Sequence, residues 1–473
     1  MAAHPGYAGI HPLPHALDSF AARVLLIRAA ERSLDLQYYT WQKDMTGTLL
    51  FEELHEAAAR GVRVRLLLDD NNTSGLDSTF ATLDAHPNIE VRLFNPFAIR
   101  GLRVFKYIFD FSRANRRMHN KSFTADNQVT IVGGRNIGDQ YFGAGGGVLF
   151  ADLDIMAVGP VVDAVSKSFD RYWASESSYP VANLIPRADS DTIAEVTAAV
   201  SRVKRDPATT VYTEAIRNSP FIRDLSSNQL DLEWATTRVI SDDPAKGLGQ
   251  AAPEDLMIHT LKEIIGEPAS EVDLVSPYFV PTAAGTASFT ALAERGVQVQ
   301  VLTNSLEATD VALVHAGYAK WRKRLLEAGI KLYESRHLAP RVRRSGSGFG
   351  SGPDSDGFGS KGSSDTSLHA KTFSVDESRV FVGSFNFDPR SRELNTEMCF
   401  VIDSPVLAGH IADAFQHTIP DNAYELGLSN KGELYWIERV QGKEVRHDVE
   451  PGTNFLQRAA LRMMSLLPID WLL

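Results

Sequence analysis

The chain is almost without cysteine. Cys399 is the only one in 473 residues, so no intrachain disulfide can form and no multi-cysteine zinc site can be built. Long apolar runs are missing too, and nothing approaches the roughly 18 uninterrupted residues of a membrane-spanning helix. The start, from Met1 to Tyr7, carries no basic stretch followed by an apolar core, so no signal peptide is expected in it. Positive charge is not in excess: 48 Lys and Arg stand against 59 Asp and Glu, a net charge of −11. Nothing global therefore attracts nucleic acid, and such binding would need a local basic surface. EF-hand, H-E-x-x-H and clustered-carboxylate motifs are absent, so no metal site is expected. What remains is an ordinary globular composition, 44% hydrophobic and 23% charged, in a chain long enough for two or three domains.

The chain reads as a duplication. SLDLQYY from Ser33 and EVDLVSPYF from Glu271 both look like buried strands ending in aromatics. Each precedes a helical stretch and a second strand, RGVRVRLLLDD from Arg60 and RGVQVQVLTNS from Arg295, 235 residues apart. A β-α-β order with short connections implies parallel strands covered by helices. The patterns predict helix 16–32, strand 34–39, helix 46–60, strand 62–69, helix 75–85 and strand 89–94. In the second half they predict helix 253–265, strand 271–276, helix 284–295, strand 297–303 and helix 309–328. The expected fold class is α/β, with two similar domains at 1–200 and 201–473. They meet in a polar stretch, 190–240, without strong strand periodicity. Between Ser345 and Ser364, 14 of 20 residues are Gly or Ser, a composition that reads as a mobile loop, either a tolerated insertion or a flap.

One longer motif also occurs twice. Residues 119–136 read HNKSFTADNQVTIVGGRN and residues 369–386 read HAKTFSVDESRVFVGSFN. Both fit H-x-K-x4-D-x6-G-[GS]-x-N, with the two histidines 250 residues apart. Residues two apart share a face of a strand, so His119 and Lys121 point together, as do His369 and Lys371. A turn at Asp126-Asn127 or Asp376-Glu377 makes a hairpin. Gly133 and Gly383 let the backbone approach a ligand, and Asn136 and Asn386 offer amide donors. Two such sets face to face form a pocket for a tetrahedral oxyanion. Lysines and asparagines stabilise charge on non-bridging phosphate oxygens. One histidine can attack phosphorus, and the other can protonate the leaving alkoxide and then activate an alcohol or water. The lysines supply the charge a metal would, so no cofactor is expected.

The doubled motif resembles the signature of the phospholipase D superfamily. The stretches LDLQYYTW, RGVRVRLLLDDNNT, NRRMHNKSFTADNQ, GGRNIGDQYF, SPYFVP and LPIDWLL resemble its bacterial cardiolipin synthase branch, in the C-type class. The resemblance implies two α/β/α sandwich domains related by a pseudo-twofold axis, with one shared active site. It implies His119 and His369 as the catalytic pair, with His119 favoured as nucleophile. Lys121, Lys371, Asn136 and Asn386 would bind phosphate, with Ser384 as a helper. Asp126 and Asp376 would be structural. A carboxylate after each motif would orient a histidine: Glu397 in the second half, and Asp154, or alternatively Asp152, in the first. Gly134 stands where the second copy has Ser384, so the half-sites differ, and Arg135 is expected to reach the phosphate instead. The implied activity is phosphatidyl transfer between phospholipids such as phosphatidylglycerol and phosphatidylethanolamine, giving cardiolipin or a relative through a phosphatidyl-histidine. The alternatives are a hydrolytic phospholipase D releasing phosphatidic acid, then a nucleic-acid phosphodiesterase. The expected setting is a monomer, alone or with an accessory protein, peripheral to a bacterial inner membrane.

Further segments fit such a setting. The basic, aromatic-rich stretch 100–117 suits either a partly buried helix or contact with a membrane surface. The run 319–344 is rich in Lys and Arg and suits either a nucleic-acid footprint or a solvated helix face with a basic loop near an anionic headgroup. The apolar end, 455–473, is expected to pack on the second domain, with interfacial anchoring as the alternative. Tyr38, Tyr39, Trp41, Tyr278 and Phe279 follow equivalent strands, where α/β proteins place ligand sites, and suit either an acyl or glycerol entrance or core packing. Asp69 and Asp70 are expected to cap a helix, and Cys399 to be inert core.

Overall fold

The computed structural model describes residues 4–97, 113, 115–144, 149–227, 229–336 and 366–466. The Gly/Ser-rich stretch 345–364, most of the basic segment 100–117, and residues 467–473 lie outside them.

The first half contributes strands β1 (Ala8–Leu13), β2 (Ser33–Thr40), β3 (Arg63–Asn72), β4 (Ile89–Phe94), β5 (Ser122–Ala125), β6 (Val129–Gly133), β7 (Leu149–Ala151), β8 (Asp154–Val158) and β9 (Ser178–Pro180). The second contributes β10 (Glu233–Ser241), β11 (Glu271–Val275), β12 (Gln298–Asn304), β13 (Lys331–Ser335), β14 (Thr366–Leu368), β15 (Thr372–Val375), β16 (Arg379–Gly383), β17 (Met398–Asp403), and a meander of β18 (Ala423–Leu428), β19 (Leu434–Val440) and β20 (Lys443–His447). Eighteen of these strands form one continuous sheet. Outward from its central β1–β10 pair, the order β8-β6-β5-β2-β3-β4 is repeated as β17-β16-β15-β11-β12-β13. The predicted β-α-β units are its parallel parts, β2-β3-β4 and β11-β12-β13. The fold is the two-domain α/β arrangement expected of a duplicated chain.

Alternation in β2 shows how the layers form. Leu34, Leu36 and Tyr38 enter a core with Phe51 and Leu54 of the helix Met45–Ala59. The residues between them face the other layer, where Asp35 accepts two hydrogen bonds from Arg65 of β3, at 2.7 and 2.8 Å. That guanidinium lies over the Phe169 ring of the helix Pro160–Trp173, so the buried carboxylate has a partner and a cover. A separate core joins the halves: Ile10, Val132 and Ile155 pack with Val380, Val382 and Phe400. Each such side chain stabilises by about 1.5–3 kcal/mol when fully buried, so the seam is an interior rather than a loose contact.

Three features differ from the sequence expectation. The stretch 190–240 is not a featureless connector. It holds the helices Ser190–Arg205, Pro207–Arg217 and Pro220–Ser226 and the central strand β10. Tyr212, Ile216 and Phe221 belong to the first core, so a division at residue 200 separates from the first half two helices that pack on it. β10 has no clear strand periodicity in the sequence because it pairs on both sides, with β1 and β17, and its burial does not alternate cleanly. The predicted helix 309–328 is two helices, Ala312–Ala319 and Arg322–Glu327. Arg322 is buried between Glu334 and Glu450, so part of the basic run serves the interior.

Candidate active site

The two motif hairpins, β5–β6 and β15–β16, turn through paired left-handed residues. Asp126 and Asn127 have φ of 53°, Asp376 52° and Glu377 45°, the backbone of the tight turns that match strand twist. Asp126 accepts from the backbone N–H groups of Glu31, Arg32 and Ser33 at 2.9, 2.8 and 2.7 Å. Asp376 accepts from Ala269, Ser270 and Glu271 at 3.0, 2.7 and 3.1 Å. Each aspartate therefore ties its hairpin to the residues entering β2 or β11, away from the histidines.

His119 and His369 lie just ahead of β5 and β15, not within them. Each is still oriented with its lysine, because the Lys121 and Lys371 ammonium groups donate to the carbonyl oxygens of His119 and His369. Lys371 Nζ also lies 2.9 Å from His369 Nδ1.

The orienting carboxylates are crossed between the halves. His119 Nδ1 lies 2.9 Å from Glu397 Oε2, a residue of the second half. His369 Nδ1 lies 2.5 Å from Asp152 Oδ2, a residue of the first. Main chain carries the same exchange: His119 N–H donates to Thr396 O, and His369 N–H to Ala151 O, where β14 runs beside β7. Glu397 also accepts from the Ser384 and Ser391 hydroxyls at 2.5 and 2.7 Å. Ser384 thus serves the carboxylate that holds His119.

Asp154, expected as the first-half counterpart of Glu397, is not at His369. Its Oδ2 accepts from Ser19 at 2.7 Å and pairs with the buried guanidinium of Arg23 at 2.9 Å. Sheet register gives the reason. Gly133 pairs with Asp154 and Gly383 with Cys399, so Asp154 corresponds to Cys399 and Asp152, two residues earlier, to Glu397. Arg135 does not reach the site either. Its guanidinium donates to the carbonyls of Leu13, Pro14 and Asp152 and shores up the β1 end. Gly133 and Gly383 make close approaches to protein rather than to a ligand: a Cβ at 133 would sit 2.2 Å from Asp154 Oδ1, and at 383, 2.3 Å from Met398 O. Gly134 has its own cause, because a Cβ there would lie 2.1 Å from Asp152 Oδ1. The shorter carboxylate thus stands beside glycine, and the longer one beside a serine that donates to it.

Both imidazoles face one cavity of about 820 Å³, which Asn136, Asn386, Tyr39 and Tyr278 also line. Lys121 and Lys371 are almost fully buried beside the rings. Asn136 Oδ1 accepts from Thr40 N–H and its Nδ2 donates to Tyr141 Oη, both at 3.1 Å. The Asn386 Oδ1 is buried with no partner among the described residues. Aromatic rings fix the imidazoles. Tyr39 meets His119 edge-on at 5.0 Å, and Phe150 stacks on His369 at 5.0 Å. Tyr39 is one of the aromatics expected after the first strand, whereas Tyr141 and Phe150 are contacts that the sequence did not mark out. Asp69 belongs to the wall behind them: it accepts from Met118 N–H and pairs with the buried Arg117. The described end of the basic segment 100–117 is therefore bound to protein.

Burial governs the charges here. It lowers His119 to about 4 against the pull of Glu397, and His369 to about 4, where Lys371 adds to burial and Asp152 opposes it. Both imidazoles are neutral near pH 7. Burial also lowers Lys121 to about 7 and Lys371 to about 8. Burial pushes Asp152 up, but His369 and Lys371 outweigh it and hold the carboxyl well below its usual range. A neutral imidazole held by an ionised carboxylate can attack phosphorus or take a proton. Two ammonium groups that gain charge when an anion binds suit a phosphodiester.

Known proteins resemble this chain along nearly its whole length. A model of the family described as cardiolipin synthase, PLD-like domain matches residues 24–173 and 261–419, one match in each half. The chain is 51% identical over 470 residues to cardiolipin synthase C of Escherichia coli strain K12, covering 99% of this chain and 97% of the relative. The chain belongs to the cardiolipin synthase family. A cardiolipin synthase A of Proteus mirabilis is more distant, 25% identical over 84% of this chain and 66% of its own. An uncharacterised protein of Helicobacter pylori strain 26695 is 31% identical over 98% of this chain and 89% of its own. The solved structure of phosphatidylserine synthase from Haemophilus influenzae superposes with a TM-score of 0.62 at 14% identity, covering 98% of this chain and 94% of that one, and so shares the fold. Among the described residues, no helix is long and apolar enough to cross a membrane.

Proposed function

We propose that this cardiolipin synthase family member transfers a phosphatidyl group from one phospholipid to the headgroup hydroxyl of another, giving cardiolipin. The observation that carries the reading is one cavity holding two neutral imidazoles, each clasped by the carboxylate of the opposite half. His119 Nε2 attacks phosphorus and the bond to the donor headgroup oxygen breaks. His369, which takes a proton from solvent as the anionic phosphodiester binds beside it, passes that proton to the departing alkoxide and is left neutral. The acceptor hydroxyl of a second phospholipid, phosphatidylglycerol in this reading, then loses its proton to His369 and displaces His119 from phosphorus. The donor is phosphatidylglycerol or phosphatidylethanolamine, and the co-product is glycerol or ethanolamine. Lys121, Lys371 and the Asn136 and Asn386 amides receive the charge that grows on the non-bridging oxygens. The assignment of attack to His119 is supported by Glu397, which two hydroxyls pin in place, whereas among the described residues only Leu153 N–H and the site's own side chains donate to Asp152.

Two measurements test this. With phosphatidylglycerol and phosphatidylethanolamine in mixed vesicles, mass spectrometry should detect cardiolipin; phosphatidic acid alone would make the protein a hydrolase. With a p-nitrophenyl phosphodiester, whose leaving group needs no proton, His369→Ala should still give a stoichiometric burst of nitrophenol and His119→Ala none. The reverse pattern would exchange the two roles, and steady turnover by both variants would reject the paired-histidine chemistry.

A further inference from the structure

The helix Phe455–Ser465 presents its apolar side outward. A capping box between Asn454 and Gln457 starts it. Only one narrow edge is packed: Leu461 and Met464 lie against Val314 and Leu313, which also line the active-site cavity. The helix therefore backs onto the cavity wall. Its opposite side exposes Phe455 by 75%, Leu456 by 75%, Met463 by 71% and, just past the end, Leu466 by 85%. At about 100° per residue these four and the intervening alanines form a continuous apolar arc of roughly 140°. Arg458 and Arg462 follow on one border of it. With them, a groove of about 1040 Å³ sets Lys320, Arg322, Arg446, Arg458 and Arg462 against Glu433, Asp448 and Glu450, five positive charges to three negative on an acidic protein.

An outward apolar arc bordered by arginines is the build of a helix that lies in a membrane interface. We propose that the helix Phe455–Ser465 docks this protein on a bilayer rich in anionic phospholipid, seating the membrane beside the wall of the active-site cavity. The apolar side chains enter the headgroup–acyl boundary, and Arg458 and Arg462 meet phosphates at its edge. This rests on the lipid-substrate reading above. The anionic surface is favoured over a second copy of the chain by the charge: the patch joins apolar and cationic groups, while the protein as a whole is negative.

The test uses the full-length protein and sedimentation with vesicles of phosphatidylglycerol and phosphatidylethanolamine, with pure phosphatidylcholine vesicles as the contrast. Leu456→Glu/Met463→Glu should lower partitioning to the anionic vesicles by about a hundredfold. Arg458→Gln/Arg462→Gln should lower it by roughly thirtyfold, and only on anionic vesicles. Both variants should turn over a monomeric short-chain phosphatidyl substrate at the parental rate. Undiminished vesicle binding by the double glutamate variant would overturn the proposal. So would a glutamate variant that is smaller in solution than the parent yet binds vesicles equally, which would make the surface a contact between copies. If the parent fails to process the short-chain substrate, the catalytic reading falls, while the sedimentation result still decides the docking surface.

Discussion

Replacing Asp152 by Asn should stop the chemistry while leaving the fold in place, and the same change at Asp154 should do the opposite. Asp152 Oδ2 lies 2.5 Å from His369 Nδ1. Its side chain is fully buried and that of His369 is 10% exposed, so water cannot take over. Asparagine keeps the shape and one polar contact but removes the charge. A charge-assisted hydrogen bond contributes about 1.5–3 kcal/mol and a neutral one about 0.5–1.5. The larger loss comes when His369 turns cationic, because a unit charge pair at about 4 Å is worth about 4 kcal/mol at an effective dielectric near 20. A deficit of about 3–4 kcal/mol is a fall in kcat of about 10²–10³. Asp154, in contrast, faces Arg23 at 2.9 Å, with both side chains buried. Asp154→Asn leaves a buried guanidinium without its counter-charge, at a cost of about 3–5 kcal/mol of stability. The assays are kcat on a lipid phosphodiester and thermal melting, run on both variants. A parental kcat for Asp152→Asn, or a collapse of kcat without loss of stability for Asp154→Asn, would refute the assignment.

Two further outcomes follow from the same site. Lys121 and Lys371 sit at about 7 and about 8 and are charged below those values. The anionic substrate needs the charged form, so kcat/KM should fall as pH rises through 7–8. Because a bound anion raises both lysines, kcat alone should turn down only at higher pH, and a flat kcat/KM from about pH 6 to 9 would contradict this. The attacking imidazole must be neutral, and with His119 at about 4 activity should persist well below pH 6. Gly134→Ser, which copies the second motif into the first, should not restore symmetry. Its Cβ would lie 2.1 Å from Asp152 Oδ1, so kcat should drop as it does for Asp152→Asn, and an unimpaired variant would show that the carboxylate can move.

Much of this was legible in the residues, because duplication printed the informative parts twice. The strands β2-β3-β4 and β11-β12-β13, the two hairpins, and the gathering of His119, His369, Asn136 and Asn386 at one cavity follow from pattern and spacing. The first-half carboxylate did not. Glu397 lies eleven positions beyond Asn386, but Asp152 lies sixteen beyond Asn136, and the added length includes the Gly-rich sequence 143–147, which obscures the register. Aligning the apolar strands β8 and β17 instead, so that Ile155 meets Phe400, places Asp152 on Glu397. Arg135 was misread because a buried arginine among carbonyls and a phosphate-binding arginine have the same local sequence. Only the third dimension shows that its two terminal nitrogens donate to the carbonyls of Leu13, Pro14 and Asp152. The central strand β10 was obscured by its position between two partners, where neither face is consistently wet.

The crossed pairing bears on how two copies came to differ. In a symmetric dimer of one half, a change at the carboxylate would occur twice and alter both histidines at once. In a single chain each position mutates alone. Asp152 with Gly134, and Glu397 with Ser384, are two solutions to one packing problem, and the fused chain holds both. Covalent linkage thereby allows a division of labour: His119 is gripped by a carboxylate with two hydroxyl donors, and His369 by one without them. Neither half, alone as a monomer, would bring a histidine against its carboxylate.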